Sequence, residues 1–206
     1  MKLLSTLRRN KVSIFSLRDI ANMFPDANLG TLKNNLTNWL KKGYIERLKR
    51  DLYTCIEPVL ESEIPDFFIA NKLYGPSYIS LETALSHYNM IPEIAVQVTS
   101  VTTKPSRVFS NRHGVFIYRS CRKIAFTGYR IVSYEGYRVL IADEEKALVD
   151  FLYFKLRHGL SIDFDEERFD ADILKALVWK KARGYAELFN KVTINKLQDC
   201  RNWLEC

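Results

Sequence analysis

The chain has 206 residues, 47% of them hydrophobic and 27% charged, the composition of a globular protein that buries a real core in one large domain or in a small one joined to a medium one. No apolar run approaches the ~20 residues of a membrane span, and the opening MKLLSTLRRNK is broken by Ser5, Thr6, Arg8 and Arg9 too early for a secretory signal. The net charge of +7 is concentrated: residues 1–56 hold 11 Lys/Arg against 4 Asp/Glu and the remainder 20 against 20, so the whole excess lies in the first quarter.

A segment so basic is expected to have an electrostatic task, most simply phosphate binding. The four cysteines, Cys55, Cys121, Cys200 and Cys206, form no C-x-x-C pair and have no histidine at ligand spacing. No zinc site and no disulfide framework is expected, and a reducing cytoplasm is the expected location.

Leu3, Leu4 and Leu7 give one face to a short first helix ending near Asn10-Lys11, and Val12, Ile14 and Phe15 read as an extended link. Ser16 with Asp19 three residues on resembles a capping box opening a second helix, whose apolar side is Leu17, Ile20, Ala21 and Phe24 and which Pro25-Asp26 ends. A third helix runs from Leu29 or Thr31 to a stop at Gly43. At 100° per residue Leu29, Leu32, Leu36 and Leu40 fall within an arc of about 80°, with Trp39 at its edge. The other side carries Thr31, Asn34, Asn35, Asn38, Lys41 and Lys42. Residues 44–48 and 52–55 then alternate as two strands around Lys49-Arg50-Asp51.

Three short helices followed by a basic hairpin is the order of a winged helix-turn-helix. Asparagine bonds adenine bidentately and threonine contacts either base type or a thymine methyl, so Thr31, Asn34, Asn35 and Asn38 are the candidate base contacts. Lys41, Lys42, Arg47, Lys49 and Arg50 are the candidate phosphate contacts, which position without specifying. Double-stranded DNA is therefore the expected partner.

Glu57-Pro58 and Glu61-Ser62-Glu63 mark a change in composition, taken as the boundary between domains 1–57 and 58–206. Residues 64–73 form an amphipathic helix started by Pro65-Asp66. Ser80 is expected to cap a helix with Leu81, Ala84, Leu85 and Tyr88 on its apolar side, and His87 near that edge reads as structural. Strands are expected at 96–103, 115–118, 129–132 and 137–141, the last two joined by a Glu135-Gly136 turn. Asp143-Glu144-Glu145 opens a long helix that buries Ala147, Leu148, Phe151, Leu152 and Leu156 and ends at Gly159. After an acidic loop over 163–172, helices are expected near 171–181 and 193–204. The fold class is α+β: a winged helix-turn-helix, then a mixed α/β unit with a mostly antiparallel sheet of about four strands and C-terminal helices.

Several blocks, in this order, resemble the AbiEi family of antitoxins, transcriptional regulators of viral defence systems of the type IV toxin-antitoxin kind. They are Pro76-Ser77-Tyr78-Ile79-Ser80-Leu81 closing with Ile91-Pro92-Glu93, then Thr102-Thr103-Lys104 with Arg107, Gly114-Val115-Phe116-x-Tyr118, and Glu145-Lys146-Ala147-Leu148-x-Asp150. Gly43-Tyr44-Ile45-x-Arg47 and Leu52-Tyr53 resemble the family's wing, with Asp51 where glycine is common. The resemblance covers residues 1–155. It implies an N-terminal winged helix that binds inverted repeats in its own promoter and represses it, and a C-terminal domain that counters a co-encoded nucleotidyltransferase-like toxin. No enzymatic activity and no cofactor go with that reading.

Two rivals remain. Glu145-Lys146 after a strand is reminiscent of metal-dependent nucleases, but such sites need an Asp and a Glu-x-Lys converging from adjacent strands, whereas here the two residues are adjacent at a helix start. Asp163, Asp165, Glu166, Glu167 and Asp170 lack the glycine and spacing of a calcium loop. The other rival is a stand-alone repressor whose C-terminal domain binds a ligand or dimerises.

Overall fold

A computed structural model describes residues 2–10, 12–56 and 64–205; the expected boundary at 57–63 lies outside them. The chain is α+β: helices with a small three-stranded sheet, then a six-stranded mixed sheet, then C-terminal helices.

In the first part, helix α1 (Lys2–Arg9) leads into strand β1 (Ile14–Phe15) and helices α2 (Leu17–Met23) and α3 (Leu29–Lys41), followed by strands β2 (Ile45–Lys49) and β3 (Leu52–Cys55). The capping box is present in full: Asp19 N–H donates to Ser16 Oγ at 3.2 Å and Ser16 N–H to Asp19 Oδ2 at 2.7 Å. Asn28 Oδ1 accepts from Gly30 N–H at the start of α3. Gly43, at φ +68°, closes it in a Schellman arrangement, with Tyr44 N–H bonding Trp39 O and Gly43 N–H bonding Leu40 O. The extended link is a strand, paired antiparallel with β3, so the sheet order is β1-β3-β2.

Strand alternation gives this sheet two buried faces. Phe15, Ile45, Tyr53 and Cys55 pack with Leu7, Ile20, Leu32, Leu36 and Trp39 of the three helices. Ile14, Leu48 and Leu52 face the other way and join the core of the second part. The hairpin is therefore shared packing between the two parts, although the composition change at residue 57 reads as a clean break.

The second part comprises α4 (Asp66–Leu73), β4 (Ser77–Ile79), α5 (Leu81–His87), β5 (Val98–Thr102), β6 (Arg107–Asn111), β7 (Gly114–Ser120), β8 (Tyr129–Tyr134), β9 (Tyr137–Ala142), α6 (Glu144–Arg157), α7 (Ala171–Lys175), α8 (Trp179–Glu187) and α9 (Lys191–Trp203). The sheet has six strands, not four, in the order β6-β7-β5-β4-β9-β8, and two of its pairings, β5 with β7 and β4 with β9, are parallel. Sequence reading misses β4 because all three residues are buried and show no alternation, and β6 because it is an exposed edge strand without an apolar pattern. The Glu135-Gly136 turn is as expected, with both φ angles positive (+48° and +81°).

Register places the helices. Tyr118 pairs with Ser100 and Ser100 with Ile79, so these three share a face, and Tyr118 Oη donates to Ala70 O of α4 there. Tyr78, one residue from Ile79, points to the opposite face and reaches α6. The expected helix over 171–181 is two helices. Ala176 ends the first, and Val178 N–H, at the start of the second, is taken by the Glu145 carboxylate at 3.0 Å, a tertiary contact that no local pattern encodes. Asn190, ahead of Thr193, caps α9.

Candidate nucleic-acid interface

Helix α3 buries Leu32, Leu36 and Trp39, while Leu29 and Leu40 stand 56% and 36% exposed. The inward face is thus rotated toward Trp39 relative to the leucine arc, because the indole belongs to the core that the helices share with Phe15, Ile45 and Cys55 of the small sheet. Thr31, Asn34, Asn38, Lys41 and Lys42 remain fully outward, and Asn35 is half-buried at the flank. Lys33 and Thr37, which the leucine-centred wheel leaves out, belong to the outward side; Thr37 Oγ1 donates to Lys33 O at 3.1 Å. Re-centring the wheel on Trp39 would have found them. Among the described residues the side chains of Thr31, Asn34 and Asn38 make no hydrogen bond, so their amides and hydroxyl are free for an external partner.

The hairpin tip is a two-residue turn, Arg50-Asp51. Asp51 adopts φ +58°, the left-handed conformation that glycine takes without cost and that aspartate tolerates. Its carboxylate also accepts Leu17 N–H at 3.2 Å, pinning the tip to the positive end of α2. Arg50 is exposed; Arg47 is exposed with its Nε on Lys49 O at 3.3 Å.

Lys49 departs from expectation. Its ammonium donates to Leu73 O at the end of α4 and lies 5.7 Å from the Phe109 ring centre of β6. Burial, with Lys104 and Arg107 nearby, lowers its pKa. It tethers the hairpin to the end of α4 and rests against the edge strand β6. Neighbouring bonds do the same work: Asn111 Nδ2 donates to Leu48 O at 3.2 Å, Arg112 pairs with Glu46, and His113 Nε2 lies 3.2 Å from the same carboxylate.

The residues carrying the family resemblance fall into two places. Tyr78, Ser80, Lys146 and Asp150 meet inside the second part. Asp150 Oδ2 accepts from Tyr78 Oη at 2.9 Å and Ser80 Oγ at 2.8 Å, and Oδ1 from Lys146 Nζ at 2.5 Å. Ser80 therefore turns its hydroxyl inward and makes no side-chain cap for α5. Burial pushes the Asp150 carboxyl up, against the pull of Lys146, Ser80 and Tyr78. Lys146 Nζ sits 4.4 Å from the Phe189 ring centre. Gly128 (φ +75°) comes so close that a Cβ there would lie 2.7 Å from Tyr185 Cζ and 2.9 Å from Lys146 Cγ.

Next to this cluster Glu145 reaches outward to α8, accepting from Val178 N–H at 3.0 Å and Lys181 Nζ at 2.7 Å. Burial raises its pKa, but those two donors outweigh burial and hold the carboxyl below its usual range. Tyr185 Oη donates to Asp143 Oδ2 at 2.8 Å, and burial followed by that bond pushes the phenol up to about 12. Glu145 and Lys146 are thus turned to different partners. Among the described residues no three His, Cys, Asp or Glu side chains are grouped to hold a metal ion.

The other resemblance residues are spread. Pro76 O accepts Thr102 Oγ1 at 2.7 Å; Ser77 is buried; Leu81 is buried at φ +57°; Pro92 is exposed in the loop after α5. Thr103, Lys104 and Arg107 lie where β5 passes into β6, beside the hairpin. The acidic loop is spent internally: Asp163 accepts from Asp165 and Glu166 N–H, Asp170 caps α7, and Asp165 accepts from Trp203 Nε1. His87 packs against Phe67, Tyr88 and Tyr134. Cys55, Cys121 and Cys200 are free and buried, and among the described residues no helix is long and apolar enough to cross a membrane.

No protein-family model matches the chain, and no curated protein matches it.

Proposed function

We propose that the first part is a winged helix-turn-helix that binds double-stranded DNA through α3, and that the protein is an autorepressor and antitoxin of an AbiE-like operon. The observation that carries the DNA reading is the outward row of Thr31, Asn34 and Asn38, without hydrogen-bond partners among the described residues and continued by Lys41 and Lys42, on a helix anchored from behind by the buried Leu32, Leu36 and Trp39. Short polar side chains that are poor helix formers are a costly choice for a face that meets only water. They suit adenine and thymine edges in a major groove, with the lysines neutralising phosphates at the helix end. The concentration of the whole +7 in residues 1–56 supports the same reading.

The antitoxin role comes from the family resemblance. What supports it is that Tyr78, Ser80, Lys146 and Asp150, separated in the chain, form one hydrogen-bonded cluster. In this reading they hold the second part in a fixed shape, and its surface counters a nucleotidyltransferase-like toxin. A second reading, a stand-alone repressor with a ligand-binding second part, is favoured by a groove of about 370 Å³ lined by Val96, Gln97, Ile117, Arg119, Phe154 and His158, a size that suits a small molecule.

An electrophoretic shift with the DNA upstream of the protein's own operon tests DNA binding: a shift that competitor random DNA does not abolish is expected, and equal binding to any duplex would overturn operator recognition. Rescue of cells expressing an adjacent toxin-like gene separates antitoxin from stand-alone repressor. Rescue is expected, and unrestricted toxicity in the presence of the folded protein would remove the antitoxin role.

A further inference from the structure

The sheet edge beside the hairpin carries two positive charges, Lys104 and Arg107, that form no ion pair among the described residues. Both are exposed. Lys104 Nζ lies 5.3 Å from the Tyr74 ring centre and Arg107 Cζ 5.2 Å from that of Phe109, whose own separation is 5.6 Å. Lys49 Nζ approaches the same Phe109 ring at 5.7 Å. Three cations are therefore gathered around two touching aromatic rings.

Cation–π contact holds each head in place but leaves its charge intact. Among the described residues the carboxylate acting on Lys49 is that of Asp51, which also accepts Leu17 N–H. Tyr74 Oη also donates to Pro105 O at 3.2 Å, which fixes the segment between the two cations. Like charges held together without a counter-ion repel, and a phosphate group placed between them removes that cost. The bonds from Asn111 to Leu48 O and from Arg112 to Glu46 lock this edge to the hairpin, so hairpin and edge form one surface.

Resting on the DNA-binding reading above, we infer that Lys104 and Arg107 contact the phosphate backbone and carry the double-stranded DNA footprint from the hairpin onto the edge of the six-stranded sheet. The two residues belong to the part of the chain whose net charge is zero, so charge counted along the sequence hides them. Their contribution is to affinity and not to sequence preference, since phosphates are the same everywhere.

The test is equilibrium binding of the 206-residue chain to a random-sequence DNA duplex over a range of salt concentrations. Replacing Lys104→Ala and Arg107→Ala together makes the slope of log affinity against log salt shallower by about 2, close to 0.9 per released phosphate contact. The charge-conserving pair Lys104→Arg with Arg107→Lys keeps the wild-type slope. If the alanine pair keeps the wild-type slope while Lys41→Ala with Lys42→Ala flattens it, the extended footprint is wrong and DNA binding stands. If the charge-conserving pair loses as much as the alanine pair, ring packing and not charge is responsible, and the inference falls. If the wild-type chain shows no salt-dependent binding to duplex DNA, the DNA-binding reading fails and takes this one with it.

Discussion

Ser80 Oγ and Asp150 Oδ2 lie 2.8 Å apart in the closed interior, joining the start of α5 to the middle of α6 across 70 positions of sequence. With Tyr78 and Lys146 they make a buried polar knot in which Asp150 is the shared acceptor. Such a knot specifies one arrangement of helices on the sheet, because any other leaves a charge without a partner.

Asp150→Asn should therefore be costly. It removes the counter-charge of a fully buried lysine, and breaking a buried pair from one side costs about 3–5 kcal/mol. Urea denaturation of the variant is the measurement. Pairing it with Lys146→Met should recover a large part of the loss; no recovery would show that the lysine charge is not the source of the cost.

Acid should weaken the junction of α6 and α8. Glu145 has its pKa held below the ordinary 4.5 once the donors Lys181 and Val178 have outweighed burial. A carboxyl depressed by folding stabilises the protein above its unfolded value and loses that contribution as pH falls through the lower folded value. Stability measured from neutral pH downward should decline more steeply below about pH 4.5 in the wild type than in Glu145→Gln, which starts lower near neutrality. Parallel pH profiles would contradict the assignment.

Lys49→Ala should act on stability before it acts on DNA. The ammonium bonds Leu73 O at the negative end of α4, and its loss should cost about 1 kcal/mol and speed hydrogen exchange in β2. Lys41→Ala, at an exposed position at the end of α3, should leave both unchanged. Equal protection of β2 in wild type and Lys49→Ala would mean that the tether is idle.

Asn34→Ala and Asn38→Ala should relax sequence preference, each costing ~1–3 kcal/mol on the specific site and little on random DNA. The fold should not notice, because neither side chain has a partner within the described residues. Equal losses on operator and random duplex would count against base readout by these residues.

Much of this was legible in the chain itself. Ser16 and Asp19 announced the start of α2, Gly43 the end of α3, and Glu135-Gly136 the turn between β8 and β9, because caps and turns are set by residues a few positions apart. The outward row on α3 was also readable, since helical periodicity is local. Its rotation by the burial of Trp39 was not, because the core that takes up that side chain is assembled from elements distant in the chain.

What only the tertiary structure decided is where charge and polarity end up. Ser80 reads as a helix cap, yet its hydroxyl belongs to Asp150. Lys49 reads as a free cation, yet it is bound to α4. Lys104 and Arg107, in a stretch that averages to neutral, come to lie against the most basic part of the molecule. The physical reason is common to all three. Sequence determines which side chains carry charge and which face of an element they occupy, but the partner that satisfies or leaves a charge comes from packing between elements distant in the chain.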